Sequence, residues 1–498
     1  MNATGHGLFR ESLFIYLASY LAIFFKFLGG VVTAALLGPA LYGLRTIFGL
    51  ITRYEVFSHG GTFDALRKEI SFHRGRNDPG RVDLVIGTVF GANALYAAAA
   101  GVLLLGAAAW MAAAGHRQIY VDFVIFLALH IALDKFRTFY SVLVVAEKKG
   151  FVLGKSRIMH DFLAAGLGVL LVYFMSLRGL LIGLLLAQAV TCAYLYLAVR
   201  TLPRLRFSPG VLWPLVRIGL PVMLTGLGFL LLKSVDQIII AARLPREMLG
   251  FFGLAVLVSS LIYMALSDVF GAIFFPRLME KAGQSDDVRE LRDYLVRPTL
   301  LVAYLMPYLV GAAFLLVHLP ILYALPEYVP AITVTRILIL GAFFYCVAVM
   351  PLMLCVALNR ERSMLLLTLG AVALNAVLSY GLISLGYGIG GVALGTAATH
   401  LAFSVVIIFH VLRAMQQSIG EVWRFLADVY APFAFACLLL LLLEFLPGGA
   451  SGDVLADFSI TTLKLLTFLV FFTLVPWRAR GRLGLTKLVK GILRRQAD

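Results

Sequence analysis

The chain is a succession of long apolar stretches separated by short polar segments. An α-helix needs about 20 mainly apolar residues to cross a bilayer, and these stretches have that length. The alternation of apolar and polar positions that marks membrane β-strands does not occur in them. The pattern therefore predicts an all-α polytopic membrane protein. About fourteen transmembrane helices are predicted, near residues 12–37, 41–66, 83–114, 120–146, 151–176, 179–200, 215–242, 248–275, 294–319, 330–357, 363–385, 389–413, 425–446 and 458–477.

The composition supports this prediction. The chain is 61% hydrophobic and 14% charged, whereas soluble proteins have roughly 25% charged residues. No polar segment is long enough to bury a core of its own. Without a soluble domain, the net charge of +16 does not indicate nucleic-acid binding. The four cysteines lie within predicted helices, in neither a zinc-site nor a disulfide spacing, so no metal is expected.

Most Lys and Arg residues lie in alternate loops, which fixes the expected orientation. The positive-inside rule places those loops in the cytoplasm, together with both termini. The net positive charge then lies mostly against the anionic lipid of the inner leaflet. The opposite side receives only Arg117, Arg178, Arg243 and Arg246.

An internal repeat relates the two halves of the chain. Residues 37–43 resemble residues 244–250, and the same alignment places Lys26 on Lys233. Six helices repeated once give two halves of the same orientation, related by a pseudo-two-fold axis along the membrane normal with a site between them. The predicted domains are an N-lobe over 1–205, a C-lobe over 206–415, and two extra helices with a basic tail over 416–498.

Eight cations lie inside the apolar stretches, and they are the strongest functional signal. A cation at the bilayer centre costs about 2.5–3.5 kcal/mol on insertion scales, so this density predicts a polar cavity for an anion. Lys464 is near the end of its helix and is expected to extend to the interface, while Lys26 and Lys233 are expected to face each other. The candidate substrate-binding residues are Lys26, Arg45, Arg53, Lys135, Arg137, Lys233 and Arg336.

Carboxylates in the same stretches have two interpretations. Asp134 and Arg137, like Lys233 and Asp236, are spaced to pair on one helix face. Such pairs either join helices or belong to a proton or cation relay. The ion-coupling candidates are Glu55, Asp134 and Asp236.

No catalytic centre or cofactor is expected. The segment 149–156 resembles a phosphate-binding P-loop, but it is one residue short and lies between two helices instead of after a strand. A membrane glycosyltransferase, polymerase or ligase commonly has long outer loops with acid/base or Arg residues. The longest outer loop here, near 447–457, offers only Asp453 and Asp457. The protein is therefore not expected to be an enzyme.

Several short motifs carry a family resemblance. They are Leu37-Gly38-Pro39-x-x-Tyr42-Gly43, Gly219-Leu-Pro221 with Ser234-Val-Asp236, Phe275-Pro276-Arg277-Leu278, and Asn375-Ala-Val-Leu-Ser followed by Gly386-Tyr-Gly-Ile-Gly. The chain resembles the polysaccharide exporters of the multidrug/oligosaccharidyl-lipid/polysaccharide (MOP) superfamily. The resemblance covers nearly the whole chain.

This resemblance implies the function and the partners. It implies a Wzx-type flippase that moves undecaprenyl-pyrophosphate-linked oligosaccharide across a bacterial inner membrane, through a central cationic cavity between two six-helix lobes. The substrate lipid and membrane lipids are the implied partners, and polysaccharide polymerase or export proteins are compatible with it. An inside-negative potential favours outward movement of an anion by about 2.3 kcal/mol per charge per 100 mV, so ATP is not required.

Two other transport functions remain open on the same fold. A multidrug exporter commonly takes organic cations, which the excess of intramembrane cations disfavours. A lipid II flippase shares the plan, but the arginine-rich first helix associated with that family is not evident here.

Overall fold

The structure is a computed structural model that describes residues 3–269, 274–284, 287–446 and 452–479. The basic tail beyond 479 and residues 447–451 of the outer loop lie outside these ranges. Every regular element within them is helical, which confirms the predicted all-α fold. The α-helices are α1 (Ala3–Glu55), α2 (Thr62–Gly75), α3 (Pro79–Ala113), α4 (Gln118–Ala146), α5 (Gly150–Val199), α6 (Pro209–Leu232), α7 (Val235–Arg243), α8 (Arg246–Val269), α9 (Phe275–Gln284), α10 (Arg292–Leu316), α11 (His318–Ala324), α12 (Ala331–Ala357), α13 (Glu361–Ser384), α14 (Gly388–Ala414), α15 (Ile419–Glu444) and α16 (Val454–Ala479).

Eleven of the described helical segments are long and apolar enough to cross a membrane. Two of them, α1 and α5, each contain two of the predicted spans. The backbone leaves the helical conformation at Gly38 in α1 and at Ser176 in α5. Helix α4 is not among the eleven because Asp134, Lys135 and Arg137 interrupt its apolar sequence, although its 29 residues are sufficient to span.

Two predicted boundaries were wrong. The span predicted at 41–66 ends at Glu55, where a 3-10 turn (Val56–His59) and two positive-φ residues, Gly60 and Gly61, lead into α2. The span predicted at 215–242 is divided into α6 and α7. The break falls at Ser234, whose hydroxyl donates a hydrogen bond to the Leu230 carbonyl at 2.6 Å.

The bend in α1 follows from its sequence. Gly38 has φ 67°, a left-handed conformation that costs glycine little. Pro39 follows, and proline has no backbone N–H to continue the helical hydrogen bonds. The bend therefore separates two membrane-length segments without a loop.

The two copies of the repeated motif touch each other. A Cβ on Gly43 would overlap the carbonyl oxygen of Arg246, and a Cβ on Gly250 would overlap that of Pro39. Gly43 corresponds to Gly250 in the repeat, and Pro39 to Arg246. Gly43 thus contacts Arg246, and their repeat counterparts, Gly250 and Pro39, contact each other. A two-fold axis produces this reciprocal pattern.

The chain forms two compact units. Unit 1 comprises Met1–Ser234 and Pro245–Gly250, and unit 2 comprises Val235–Leu244 and Phe251–Asp498. These units are defined by contacts and the predicted lobes by repeat symmetry, so the boundaries at 205 and 415 stay predictions.

Each unit has its own core. In unit 1, helices α2 to α6 enclose Leu66, Val89 and Tyr140, all fully buried. In unit 2, Phe343 of α12 stacks on Phe433 of α15 at 3.9 Å between ring centroids. A second apolar cluster joins α10, α15 and α16, so both helices predicted after the repeat pack within unit 2.

Candidate functional site

The charged segment of α4 is the polar centre of unit 1. Asp134 and Lys135 are buried, with side chains 2% and 3% exposed, and Arg137 is 34% exposed. One turn of a membrane-length helix thus carries three ionised groups of both signs. Since burial of a charge is costly unless it is paired, their partners decide what each group does.

Lys135 is paired across helices with Glu55. Its Nζ lies 2.8 Å from Glu55 Oε1, and the carboxylate side chain is only 7% exposed. Ser58 Oγ donates a second hydrogen bond to the same oxygen at 2.9 Å, and the Tyr96 ring lies 5.8 Å from the ammonium. Glu55 Oε2 is buried and has no hydrogen-bond partner within the described chain. Two of the predicted site residues therefore form one buried ion pair.

Asp134 and Arg137 form the local pair that their spacing predicts. Arg137 Nη2 lies 2.8 Å from Asp134 Oδ1. Two atoms of this pair, Asp134 Oδ2 and Arg137 Nε, are buried and make no hydrogen bond to a described residue. The pair therefore retains unused hydrogen-bonding capacity on both sides.

Arg137 also lines a cavity of about 380 Å³ between α2, α4 and α5. Arg67 of α2 and Arg157, His160 and Asp161 of α5 line it as well. None of these four residues is among the site residues predicted from the sequence. Loop composition reveals a basic segment, but not that these side chains converge on Arg137.

Lys26 lies next to this cavity, on α1. Its side chain is exposed, and its charge interacts with Asp161 and with His160 of α5. Its repeat counterpart Lys233 is the residue that follows α6 and is partly buried, also in unit 1. The expectation that the two lysines face each other stays a prediction.

The remaining cations of α1 lie on its second half. Arg45 is partly buried, with its guanidinium 4.9 Å from the centroid of the Tyr42 ring. Arg53 is exposed and donates from Nε to the Gly49 carbonyl at 3.1 Å. Each thus uses its own helix for support and projects part of its cationic group away from the core.

Arg336 belongs to unit 2, apart from the α4 cluster. Its guanidinium lies 3.2 Å from Glu444 at the end of α15, and its Nε donates to the Phe314 carbonyl of α10 at 3.3 Å. The same guanidinium stacks on the Phe314 ring at 4.9 Å. This arrangement joins α10, α12 and α15, and it favours a structural role.

Asp236 lies in a separate polar cluster of unit 2. Its side chain is buried, and Oδ2 accepts a hydrogen bond from Thr396 Oγ1 of α14 at 3.1 Å. Asn375 of α13 is fully buried beside it, accepts from Ser379 Oγ at 2.9 Å, and has an amide nitrogen with no hydrogen-bond partner in the described chain. The ion-coupling candidates thus fall into two groups, one in each unit. Among the described residues, no His/Cys/Asp/Glu group has metal-binding geometry.

Solved structures of transporters share this fold. A lipid II flippase, MurJ, in an inward closed conformation matches with a TM-score of 0.65 at 14% identity, over 93% of this chain and 98% of that one. An inward-facing multidrug resistance MATE family transporter of the MOP superfamily matches with a TM-score of 0.59 at 15% identity, over 81% and 94% of the two chains. Its outward-facing counterpart gives 0.57 at 15% identity, over 82% and 94%. Identities this low show a common fold and nothing finer.

No curated protein sequence matches the chain. A family model does match it, over residues 32–322, which is more than half of its length. That model describes a polysaccharide biosynthesis protein, and the solved structures show that the fold is the one expected for a member of the MOP superfamily. The chain is a multi-pass membrane protein that belongs to the polysaccharide biosynthesis protein family.

Proposed function

We propose that the protein is a flippase that translocates undecaprenyl-pyrophosphate-linked oligosaccharide across the bacterial inner membrane by alternating access. The repeat units would be those of O-antigen, capsule or exopolysaccharide, and both termini would be cytoplasmic. The observation that carries this proposal is the group of cations on α1, α4 and α5 in membrane-length helices, with Lys26 exposed and Arg137 only partly occupied by Asp134. Family membership supports the connection to polysaccharide synthesis.

The chemistry of the proposed substrate matches these cations. A pyrophosphate carries two negative charges that must be compensated as it leaves the aqueous headgroup region. Guanidinium groups bind phosphate oxygens through two parallel hydrogen bonds, and ammonium groups act as point charges. A shielded site strengthens both interactions because the local dielectric constant is low.

Movement of the anion needs no nucleotide hydrolysis under this proposal. An inside-negative membrane potential favours outward transfer by about 2.3 kcal/mol per charge per 100 mV. The P-loop-like segment supports this interpretation, because Lys149 directly precedes α5 and Gly150 to Ser156 belong to that helix. No strand precedes it in the described chain, so the phosphate-binding geometry of a P-loop is missing.

Ion coupling is proposed for the three carboxylates. Glu55 and Asp134 each have one oxygen engaged by a cation and one buried oxygen without a hydrogen-bond partner among the described residues. Proton or cation binding at these oxygens would compete with Lys135 and Arg137. Asp236 is the candidate of unit 2, where Thr396 donates a hydrogen bond to its carboxylate.

One alternative has specific support. The match to a lipid II flippase covers nearly all of both chains, and the cationic cluster suits a diphosphate headgroup of that kind equally well. Multidrug export is disfavoured, because organic cations would be repelled by Lys26 and Arg137. Polysaccharide polymerase or export partners stay an expectation.

The test is a leaflet assay in cells depleted of the protein. Tagged lipid-linked repeat units should accumulate on the cytoplasmic face, and wild-type protein should restore their outward transfer. Arg137→Gln should restore this transfer poorly. Arg200→Gln is the control, because Arg200 is an exposed arginine that directly follows the C-terminal end of α5, and it should restore the transfer fully. Repeat units that reach the outer face at normal rates without the protein would contradict the proposal. If depletion blocks the outward transfer of lipid II and not that of the repeat units, lipid II is the substrate.

A further inference from the structure

The cavity between α2, α4 and α5 has a lining of unusual charge for a membrane protein. Arg67, Arg137 and Arg157 contribute three positive charges, and Asp161 contributes one negative charge. Its volume of about 380 Å³ falls within the range of about 300–1,000 Å³ that ligand pockets have. Asp134, which is outside the lining, compensates the charge of Arg137. The cavity therefore keeps a net excess of about one positive charge.

The hydrogen-bond donors of the cavity are mainly its arginines. Three of the hydroxyl groups that line it are already committed as donors within their own helices. Ser141 donates to the Arg137 carbonyl at 2.8 Å, Ser156 to Leu153 at 2.8 Å, and Thr191 to Ala187 at 2.7 Å. The guanidinium groups therefore dominate recognition, and their planar array of N–H groups matches the oxygens of a phosphate.

The position of the cavity indicates a membrane lipid as the source of the phosphate. Its lining extends along α4 from Arg137 to Val145, next to the helix end at Ala146, and along α5 from Leu153 to Asp161. The cavity therefore reaches the ends of two membrane-length helices, where lipid headgroups lie. Val145 lines the cavity and is 39% exposed, and Phe151 in the first turn of α5 is 42% exposed. Exposed apolar side chains therefore lie at the cavity and at the start of α5, as an acyl or polyprenyl chain requires. Basic pockets of this kind between transmembrane helices bind anionic lipid headgroups.

We propose that this cavity binds the phosphate group of a membrane lipid, with Arg67 and Arg157 holding the oxyanion and Arg137 positioned by Asp134. Asp161 lines the cavity together with Arg137 and Arg157, so its negative charge competes with a bound phosphate for these two cations. The phosphate can come from an anionic phospholipid or from a polyprenyl diphosphate, since both present the same oxyanion chemistry. Binding of a polyprenyl diphosphate rests on the flippase function proposed above, whereas binding of a phospholipid does not.

Native mass spectrometry of the purified full-length protein tests this directly. The protein is titrated with phosphatidylglycerol, and with phosphatidylcholine, whose headgroup carries no net charge. Arg157→Gln should weaken phosphatidylglycerol binding about tenfold, the effect of one lost charge-assisted hydrogen bond. Lys155→Gln is the matched control, because Lys155 is an exposed cation in the same two turns of α5 but does not line the cavity. It should leave binding unchanged.

Asp161→Asn supplies a test of opposite sign. Removal of the competing carboxylate should strengthen phosphatidylglycerol binding severalfold, a gain that misfolding cannot produce. Competition then identifies the source of the phosphate. If undecaprenyl diphosphate displaces bound phosphatidylglycerol at a concentration below that of the phospholipid, the diphosphate lipid is the source. If it does not displace phosphatidylglycerol, the phospholipid is the source. Equal effects of Arg157→Gln and Lys155→Gln, or an unchanged affinity in Asp161→Asn, would overturn the proposal. Transport is not measured in this assay, so either result leaves the flippase proposal to its own test.

Discussion

Ion pairs in the two units differ in how deeply they are buried. In unit 1, Lys135 and Glu55 are 3% and 7% exposed and lie 2.8 Å apart. In unit 2, Arg336 and Glu444 are 21% and 39% exposed and lie 3.2 Å apart. Loss of one partner of the Lys135–Glu55 pair leaves a buried, uncompensated charge. Loss of one partner of the Arg336–Glu444 pair leaves a charge that can still reach a polar environment. Cations that look alike in the sequence therefore have different consequences for the structure.

The largest effect is expected for Lys135→Ala. It leaves Glu55 buried without its cation, which should lower the free energy of unfolding by about 3–5 kcal/mol. Thermal unfolding in detergent measures this loss. The double variant Lys135→Met with Glu55→Leu removes both charges and should regain most of the stability. If the double variant is no more stable than Lys135→Ala, the uncompensated charge of Glu55 is not the cause of the lost stability.

A smaller effect is expected for Asp134→Asn. Arg137 loses the charged acceptor at 2.8 Å, but its side chain is 34% exposed and can be hydrated. The expected loss is about 1–2 kcal/mol, below that of a fully buried charged hydrogen bond. The same unfolding assay measures it, and a loss as large as that of Lys135→Ala would contradict the ranking by burial.

Arg336→Gln should change stability less than Lys135→Ala or Asp134→Asn. Its ion pair is partly exposed, so a loss of about 0–1 kcal/mol is expected. Glu444→Gln should give a similar small change, measured in the same way. A loss above that of Asp134→Asn would show that the contacts with Phe314 and the α15 end stabilise unit 2 far more than the exposure of the pair suggests.

Lys26→Ala should leave the unfolding temperature nearly unchanged, since Lys26 is exposed, and Lys233→Ala is the corresponding change at its repeat counterpart. Export of lipid-linked repeat units should nevertheless fall, because a cation proposed to contact the pyrophosphate is missing. Leaflet labelling in complemented cells measures export. If both variants export normally while they remain folded, the proposed role of these lysines is wrong.

Hydropathy was sufficient to predict the class of fold and the approximate place of its membrane helices. The predicted span ends at 37 and 176 agree with the breaks at Gly38 in α1 and Ser176 in α5. Hydropathy was not sufficient for the breaks at Gly60–Gly61 and at Ser234. The Gly60–Gly61 turn lay inside a predicted span, since two glycines hardly change average hydropathy.

The candidate site was predictable where its contacts are local. The Asp134–Arg137 pair follows from helical spacing alone. The Lys135–Glu55 pair joins residues far apart in the sequence, so only the packing of α1 against α4 brings them together. For the same reason Arg157 was not predicted as a site residue, although it lines the cavity with Arg137.

The crossing of Gly43 and Gly250 has an evolutionary consequence. A reciprocal contact between equivalent positions is what two identical subunits form when they dimerise through one surface. The ancestor of this chain would then have been a protein of half the length, with an antecedent of Gly43 at its dimer interface. Gene fusion would have made that interface intramolecular, and each glycine would since have been retained by the backbone of the other copy.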